Sequence, residues 1–236
     1  MSDEQVRCPQ LAFLRLQSWL SPSFPTGAYS YSHGIEWAVE AGHINDRKSL
    51  VDWLAADLRH GAGRNEAIFF GEAWRYAMDE DCAKLVEIAE LATAFRGTSE
   101  FALESSQQAA AWLVILSRVW PDRLLDRLAK ALCERDVQPT PTVVFAVCSA
   151  RQGIPASLAC PAFLQSYIAN LVTAGVRLIP LGQMDGQLAI AALEELVLAT
   201  SGHAKTATID DLGSAALMVE LASMAHETQY TRLFRS

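Results

Sequence analysis

Residues suited to acid–base chemistry lie close together in one short segment of this sequence. Ser32, His33 and Glu36 supply a hydroxyl, an imidazole and a carboxylate, but neighbours in sequence are not thereby arranged for proton transfer. The surrounding residues 27–32 also lack the G-x-S-x-G pattern of a hydrolase nucleophile. We therefore predict no catalytic residue here. An all-α enzyme using Tyr29, His33 and Glu36 on a small molecule stays open as an alternative.

Metal chemistry would need imidazoles or carboxylates at regular spacing. The five histidines are never three or four residues apart, so one helix face cannot present two of them to an ion. His226-Glu227 begins like H-E-x-x-H, but Tyr230 occupies the place of the second histidine. We predict that the chain holds no metal of its own. A helical metallochaperone using scattered His and Cys residues is the other alternative.

Missing motifs, net charge and hydropathy exclude several further classes of protein. Neither a G-x-x-x-x-G-K-[ST] loop nor a G-x-G-x-x-G turn is present, so nucleotide hydrolysis by this chain is not expected. The formal net charge of −8 disfavours nucleic-acid binding. There is no apolar run of ~20 residues and no secretory pattern at the start, which predicts a cytoplasmic protein with no membrane contact.

The elements that position these residues are predicted to be helices. The chain has 236 residues, 51% of them hydrophobic, and no linker-like tract. We therefore expect a single compact all-α domain over 1–236, a bundle of about ten helices. Phe13, Leu16 and Leu20 predict one buried helix face, and the β-branched run 143–147 is interpreted as helix because no partner strand exists. A flexible N-terminus of about residues 1–8 and a C-terminal tail of about 228–236 complete the domain.

Two helices carry clear signals. Asp46 is a predicted N-cap, and the helix that follows has one apolar stripe before glycines 61 and 63: Leu50, Trp53, Leu54 and Leu58. Another helix is marked by four leucines at helical spacing: Leu124, Leu125, Leu128 and Leu132. The last helix is expected from about residue 213 to 227.

Aromatic and polar residues concentrate in two loops rather than in a pocket-like pattern. Tyrosine and arginine anchor many protein interfaces, because each buries a large area and keeps a hydrogen-bonding tip. We predict that Arg177 and the turn at 180–187 lie at a dimer or partner surface. The alternative is that these residues are ordinary core edges or close a helix pair. The interface candidates are Pro25, Gly27, Tyr29, Tyr31, His33, Glu36, Arg177, Gln183, Asp185 and Gln187.

The C-terminal tail combines aliphatic, aromatic and cationic side chains. We expect residues 230–236 to be mobile until a partner orders them, with Leu233 and Phe234 filling an apolar pocket and the arginines pairing with acidic groups. The alternative is a tail that docks on its own chain. The predicted partner-binding residues are Tyr230, Arg232, Leu233, Phe234, Arg235 and Ser236.

Three segments resemble the UreF family of urease accessory proteins. The first comprises Ser21-Pro22, P-T-G at 25–27 and Y-S-Y-S-H-G-I-E at 29–36. The second is N-L-V-T-A-G-V-R-L-I-P-L-G-Q-M-D-G-Q at 170–187. The third is His226-Glu227 followed by T-R-L-F-R-S at 231–236. Order and separation match over nearly the whole chain, whereas residues 97–149 depart from the family pattern.

The resemblance implies a function as well as a fold. It implies an all-helical, non-enzymatic scaffold that forms a homodimer and binds a UreD (UreH)-like accessory protein through its C-terminus. Such a scaffold recruits a UreG-like GTPase and supports nickel insertion into the urease apoprotein, with an effect on GTP hydrolysis. Nickel and GTP then belong to the wider complex, and this chain binds no cofactor.

Overall fold

The computed structural model describes residues 9–235, and the helices in this range confirm the predicted all-α fold. The expected flexible N-terminus (1–8) and Ser236 of the tail lie outside the described residues. Between residues 9 and 235 there is no strand, and no helix is long and apolar enough to cross a membrane. Eleven α-helices have the bounds α1 Pro9–Trp19, α2 Ile35–Glu40, α3 Arg47–His60, α4 Ala62–Met78, α5 Cys82–Ala94, α6 Ser99–Val119, α7 Arg123–Glu134, α8 Pro141–Arg151, α9 Ala156–Leu178, α10 Gln183–His203 and α11 Leu217–His226; two 3-10 helices span Ala28–Ser30 and Ile209–Asp211.

Helix α8 forms the centre of the bundle. Every residue from 142 to 150 is buried, and the helix packs against α4, α5, α6, α7 and α9. A helix that is apolar on all sides must be surrounded by other helices. The ring of Phe145 lies 5.1 Å from that of Trp112 and 5.3 Å from that of Phe163, measured between centroids. The β-branched run 143–147 is thus helical, as the sequence predicted.

The two helices with clear signals form as expected. Asp46 is the N-cap of α3 and its carboxylate accepts a hydrogen bond from the backbone N–H of Ser49 at 2.7 Å. All four leucines of α7 are buried. The last helix begins at Leu217, four residues later than predicted.

The prediction for α1 was wrong for Phe13, whereas Leu16 and Leu20 pack partly buried against the core as expected. Phe13 is 59% exposed, whereas Ala12 and Trp19 are buried. The Trp19 ring packs edge-on against Trp120 at 5.4 Å and Phe145 at 6.0 Å. Burying the larger indole decides which side of the helix faces the core, because buried area sets the gain in free energy.

The segment between α1 and α2 turns by means of residues with positive φ. Gly27, His33 and Gly34 have φ of 75°, 53° and 75°. At Gly34 a Cβ would lie 2.7 Å from the backbone nitrogen of Ser223 in α11, so this corner presses directly on the last helix. At Gly27 a Cβ would have open space around it.

These two glycines give a matched test of the contact between this corner and α11. We expect Gly34→Ala to lower the free energy of unfolding by about 3 kcal/mol or more, since backbone strain and overlap with α11 add together. Gly27→Ala carries only the strain, about 1–2 kcal/mol. Urea denaturation of both variants measures the difference. Equal losses would show that α11 does not hold this corner.

Candidate functional site

The C-terminal tail lies against its own chain. Phe234 is only 4% exposed. The backbone N–H groups of Leu233 and Phe234 donate to the two carboxylate oxygens of Glu36, at 2.6 and 2.8 Å. The sequence predicted that this segment stays free of the chain until a partner orders it; the structure instead has the docked arrangement. Phe234 therefore fills a site within its own chain.

A buried histidine links the tail to two helices. His226 is fully buried, and its Nε2 lies 3.2 Å from Glu36 while its Nδ1 lies 2.7 Å from Glu100 on α6. Glu100 also accepts a hydrogen bond from Arg232 at 2.8 Å. Glu36, Glu100 and His226 together hold residues 232–234, and we name these three side chains the tail clamp. His226 is thus a bridge between carboxylates inside the fold.

Arg177 joins the tail to the loop before α2. Its Nη1 donates to the backbone carbonyl of Tyr29 at 3.1 Å, and its guanidinium carbon lies 4.6 Å from the centre of the Phe234 ring. The backbone N–H of Arg235 donates to the carbonyl of Ser30 at 2.8 Å. Three segments that are distant in sequence, namely residues 29–36, Arg177 and residues 226–235, therefore form one surface, which we name the tail surface.

The remaining interface candidates lie around this surface and at the start of α10. Tyr31 is buried and its hydroxyl donates to Gln107 at 2.7 Å. Tyr29 is 70% exposed. Asp185 pairs with Arg47 at 3.1 Å, which ties α10 to α3. The other candidates in these segments are exposed or half-buried: Pro25, Gly27, Gln183 and Gln187.

A cavity of about 370 Å³ lies beneath the loop that precedes α2. At one side of the cavity both ring nitrogens of His33 form hydrogen bonds. Nε2 lies 2.8 Å from the carboxylate of Glu104, and Nδ1 lies 3.3 Å from the Tyr167 hydroxyl. Tyr167 in turn donates to Asp57 at 2.8 Å. We name Asp57, Tyr167, His33 and Glu104 the cavity cluster. It is a continuous hydrogen-bonded chain from α3 to α6.

The electrostatics of the cavity cluster follow from burial and pairing. Burial alone lowers the pKa of His33, but the carboxylates of Glu104 and Asp57 outweigh it and hold that pKa above its ordinary value. Burial raises the pKa of Asp57, against hydrogen bonds from Tyr167 and from the backbone of α4. Since Tyr167 donates to Asp57, its oxygen is an acceptor for Nδ1–H, and Glu104 accepts Nε2–H. This pattern, in which both ring nitrogens donate, is that of an imidazolium.

Comparison with known proteins decides the family. A model of the UreF family matches residues 44–194. The chain is 47% identical to the urease accessory protein UreF of Rhodopseudomonas palustris (strain BisB5) over 94% of this chain and 90% of that protein. It is 46% identical to the protein of the same name from Granulibacter bethesdensis (strain ATCC BAA-1260 / CGDNIH1), over 95% and 94%. It is 47% identical to that from Bradyrhizobium sp. (strain BTAi1 / ATCC BAA-1182), over 95% and 92%.

The chain belongs to the UreF family. The three segments that suggested this resemblance supply the loop, the arginine and the tail of the tail surface. The three side chains of the enzyme alternative do not share one pocket. Tyr29 and His33 line the cavity, whereas the carboxylate of Glu36 binds the tail. Within residues 9–235, no three His, Cys, Asp or Glu side chains are grouped so that they could hold a metal ion.

Several residues of the UreF chain that matter here were missed in the sequence. Asp57 had a signal, since residues 50, 54, 57 and 58 share one helix face and an acid on that apolar stripe must find buried partners. Glu100, Glu104 and Tyr167 had none, because the bonds that join them to His226, His33 and Asp57 span more than 70 residues.

The pH dependence of stability tests the cavity cluster. His33 has a raised pKa in the folded chain, so its contribution is fully present below about pH 6.5 and is lost as pH rises through the folded value. We expect the melting temperature of wild type to exceed that of His33→Asn at pH 6 and the difference to shrink towards pH 9; asparagine tolerates the positive φ. His203→Asn, at an exposed position, should keep the wild-type profile. A constant difference between wild type and His33→Asn would contradict this reading.

The tail surface can be tested by hydrogen exchange. Phe234→Ala removes a buried ring worth about 3 kcal/mol or more, so the amides of residues 233 and 234 should exchange at least about tenfold faster. Leu233→Ala is the matched control, since Leu233 is 59% exposed. Unchanged protection in Phe234→Ala would mean that the tail is not held by this ring.

Proposed function

We propose that this UreF-family chain is a non-enzymatic scaffold of urease maturation. It binds a UreD (UreH)-like accessory protein, and the two recruit a UreG-like GTPase to support nickel insertion into the urease apoprotein. The observation that carries the proposal is the tail surface, where the three segments typical of the family meet. The names of the relatives, all urease accessory proteins, support the same role.

The exposed groups of the tail surface are the proposed contact with the UreD-like partner. Tyr230 is fully exposed, Tyr29 is 70% exposed and Leu233 is 59% exposed. Aromatic and aliphatic side chains of this kind serve as interface anchors when charged neighbours surround them. Arg232 and Arg235 are exposed beside them. Phe234 and Arg177 contribute indirectly, since they fix the tail in place.

Nickel and GTP are proposed to be handled by the wider complex. Nickel is the cargo of the pathway, and GTP belongs to the GTPase partner. A scaffold can change hydrolysis in its partner by ordering groups in trans. This chain is proposed to hold neither a cofactor nor a metal of its own.

Capture of the UreD-like partner tests this proposal. The double variant Tyr230→Ala/Leu233→Ala in the full chain should reduce affinity for that partner at least about tenfold, because both side chains are exposed anchors. The melting temperature of the isolated chain should stay within a degree or so of wild type, since surface truncations cost about 0.5 kcal/mol or less.

The control is Val114→Ala, which removes an apolar group of similar exposure, 59%, from α6. It should keep wild-type affinity. Urease activation in cells should follow the binding results. Capture of the partner by the double variant at wild-type affinity would overturn the assignment of this surface.

Homodimer formation is proposed through an apolar face of α11. Four exposed side chains, each 43–63% accessible, lie on one face of this helix: Leu217, Met218, Leu221 and Met224. A contiguous apolar stripe of this kind on a solvent-exposed surface is typical of an interface.

Light scattering tests the dimer. We expect a mass of about twice the 25.8 kDa of one chain at micromolar concentration. Leu221→Glu should shift the mass towards the monomer, because a carboxylate in an apolar interface is poorly solvated. Leu103→Glu, at an exposed site on α6, is the control. A monomeric mass for wild type across this range would remove the dimer from the proposal.

A further inference from the structure

The cavity beneath the loop has the size and position of a small-molecule site. Its volume of about 370 Å³ is within the range of ligand pockets. It lies between the segment 19–31, helices α6 and α9, and the first turns of α4 and α8. Exposed residues such as Pro25 and Tyr29 line it on one side, so it reaches the protein surface.

Much of the cavity wall is aromatic. The rings of Phe24 and Trp112 lie 5.2 Å apart, and Phe101 lies 4.9 Å from the ring of His33. Trp19 and Phe163 also line the cavity. Aromatic faces attract organic cations as well as apolar groups, and they do so most strongly where water is excluded.

The polar end of the cavity carries more negative than positive groups. Glu66 and Glu104 line it, and Asp57 lies behind them through Tyr167. The cations are Arg96, which pairs with Glu66, and His33. The two carboxylates that line the cavity equal the two cations when His33 is charged, and Asp57 adds a third acidic group behind the wall. Burial, together with Asp57, Glu66 and Glu104, holds the pKa of Tyr167 well above its ordinary value, which reflects the same negative field.

Two buried hydroxyls at the cavity have no hydrogen-bond partner among the described residues. Ser105 is 7% exposed and Thr142 is fully buried, and both line the cavity. An unpaired hydroxyl in an apolar setting is unfavourable by about 1–3 kcal/mol. Each can accept a hydrogen bond from an N–H donor. Ser105 and Glu104 both line the cavity from α6.

An anionic ligand fits this cavity less well. Arg96 has two nitrogens, Nε and Nη2, without partners, and Trp19 has its indole N–H, so donors are present. A ligand carboxylate on Arg96 would nevertheless compete with Glu66 and add a negative charge to the excess already there. Removing one partner from a buried ion pair is strongly unfavourable.

We propose that this cavity binds a small primary amine with an apolar body, its ammonium at the end formed by Glu104, Glu66 and Ser105 and its body against Trp112 and Phe24. This site shares Tyr29, Tyr31 and His33 with the loop of the tail surface, but Tyr230 and Leu233, the two residues changed in the partner-capture test, do not line it. The scaffold proposal and the amine site can therefore fail independently, because partner capture tests the first and ligand titration of the isolated chain tests the second.

Three probes of equal shape and different charge test the proposal. The full chain is titrated at neutral pH with 3-phenylpropylamine, 3-phenylpropan-1-ol and 3-phenylpropanoate, and tryptophan fluorescence is followed because Trp19 and Trp112 line the cavity. We expect saturable binding of the amine that is at least about tenfold tighter than that of the alcohol, with the carboxylate weakest. Equal affinities, tighter binding of the carboxylate, or no saturable amine signal up to about 10 mM would overturn it.

Variants locate the site on the molecule. Glu104→Gln keeps the shape of the side chain and removes its charge, so the preference for the amine over the alcohol should fall at least about fivefold. Glu195→Gln makes the same change at an exposed position on α10 and should preserve the preference. If Glu104→Gln folds poorly, Ser105→Ala is a milder variant. It should weaken binding of the amine and leave binding of the alcohol and the carboxylate unchanged. Amine preference that survives both cavity variants would exclude this site.

Discussion

The tail surface depends on the hydrogen bonds that the carboxylate of Glu36 accepts. It lies in the first turn of a six-residue helix, only 7% exposed, and a buried charge of this kind is stable only when its lone pairs are filled. Two backbone N–H groups of the tail and the imidazole of His226 fill them. The last residues of the chain are thus part of what keeps α2 in place. The contact of Gly34 with α11 holds the same end of this helix.

The loop before α2 has contacts on both of its sides. Through the carbonyls of Tyr29 and Ser30 it binds Arg177 and the tail. Through Tyr31 and His33 it forms part of the cavity wall and reaches α6 and α9. Apart from the 3-10 helix Ala28–Ser30, this loop gains its order from such side contacts. The positive φ of His33 is maintained by the two hydrogen bonds of its ring.

Local signals predicted the helices well and the sites poorly. The leucine spacing of α7 and the N-cap at Asp46 act over a few residues, so sequence alone reveals them. No local pattern showed that α1 would bury Ala12 and Trp19 and leave Phe13 exposed. The bonds of Glu36 to the tail span 197 and 198 residues, and no local pattern encodes such a pairing. Resemblance to the UreF family marked the three segments of the tail surface, but the hydrogen bonds between them required the structure.

The complete burial of α8 has a consequence for how the chain reaches its native state. A helix with no polar face gains nothing from forming alone in water, and during synthesis it emerges before α9, which covers part of it. Until α9 is made, the side of α8 that α9 covers stays exposed on the nascent chain. Such a species is prone to aggregation. Folding around α8 should therefore be a late and highly cooperative step, and the yield of folded protein should depend on how quickly the following 30 or so residues leave the ribosome.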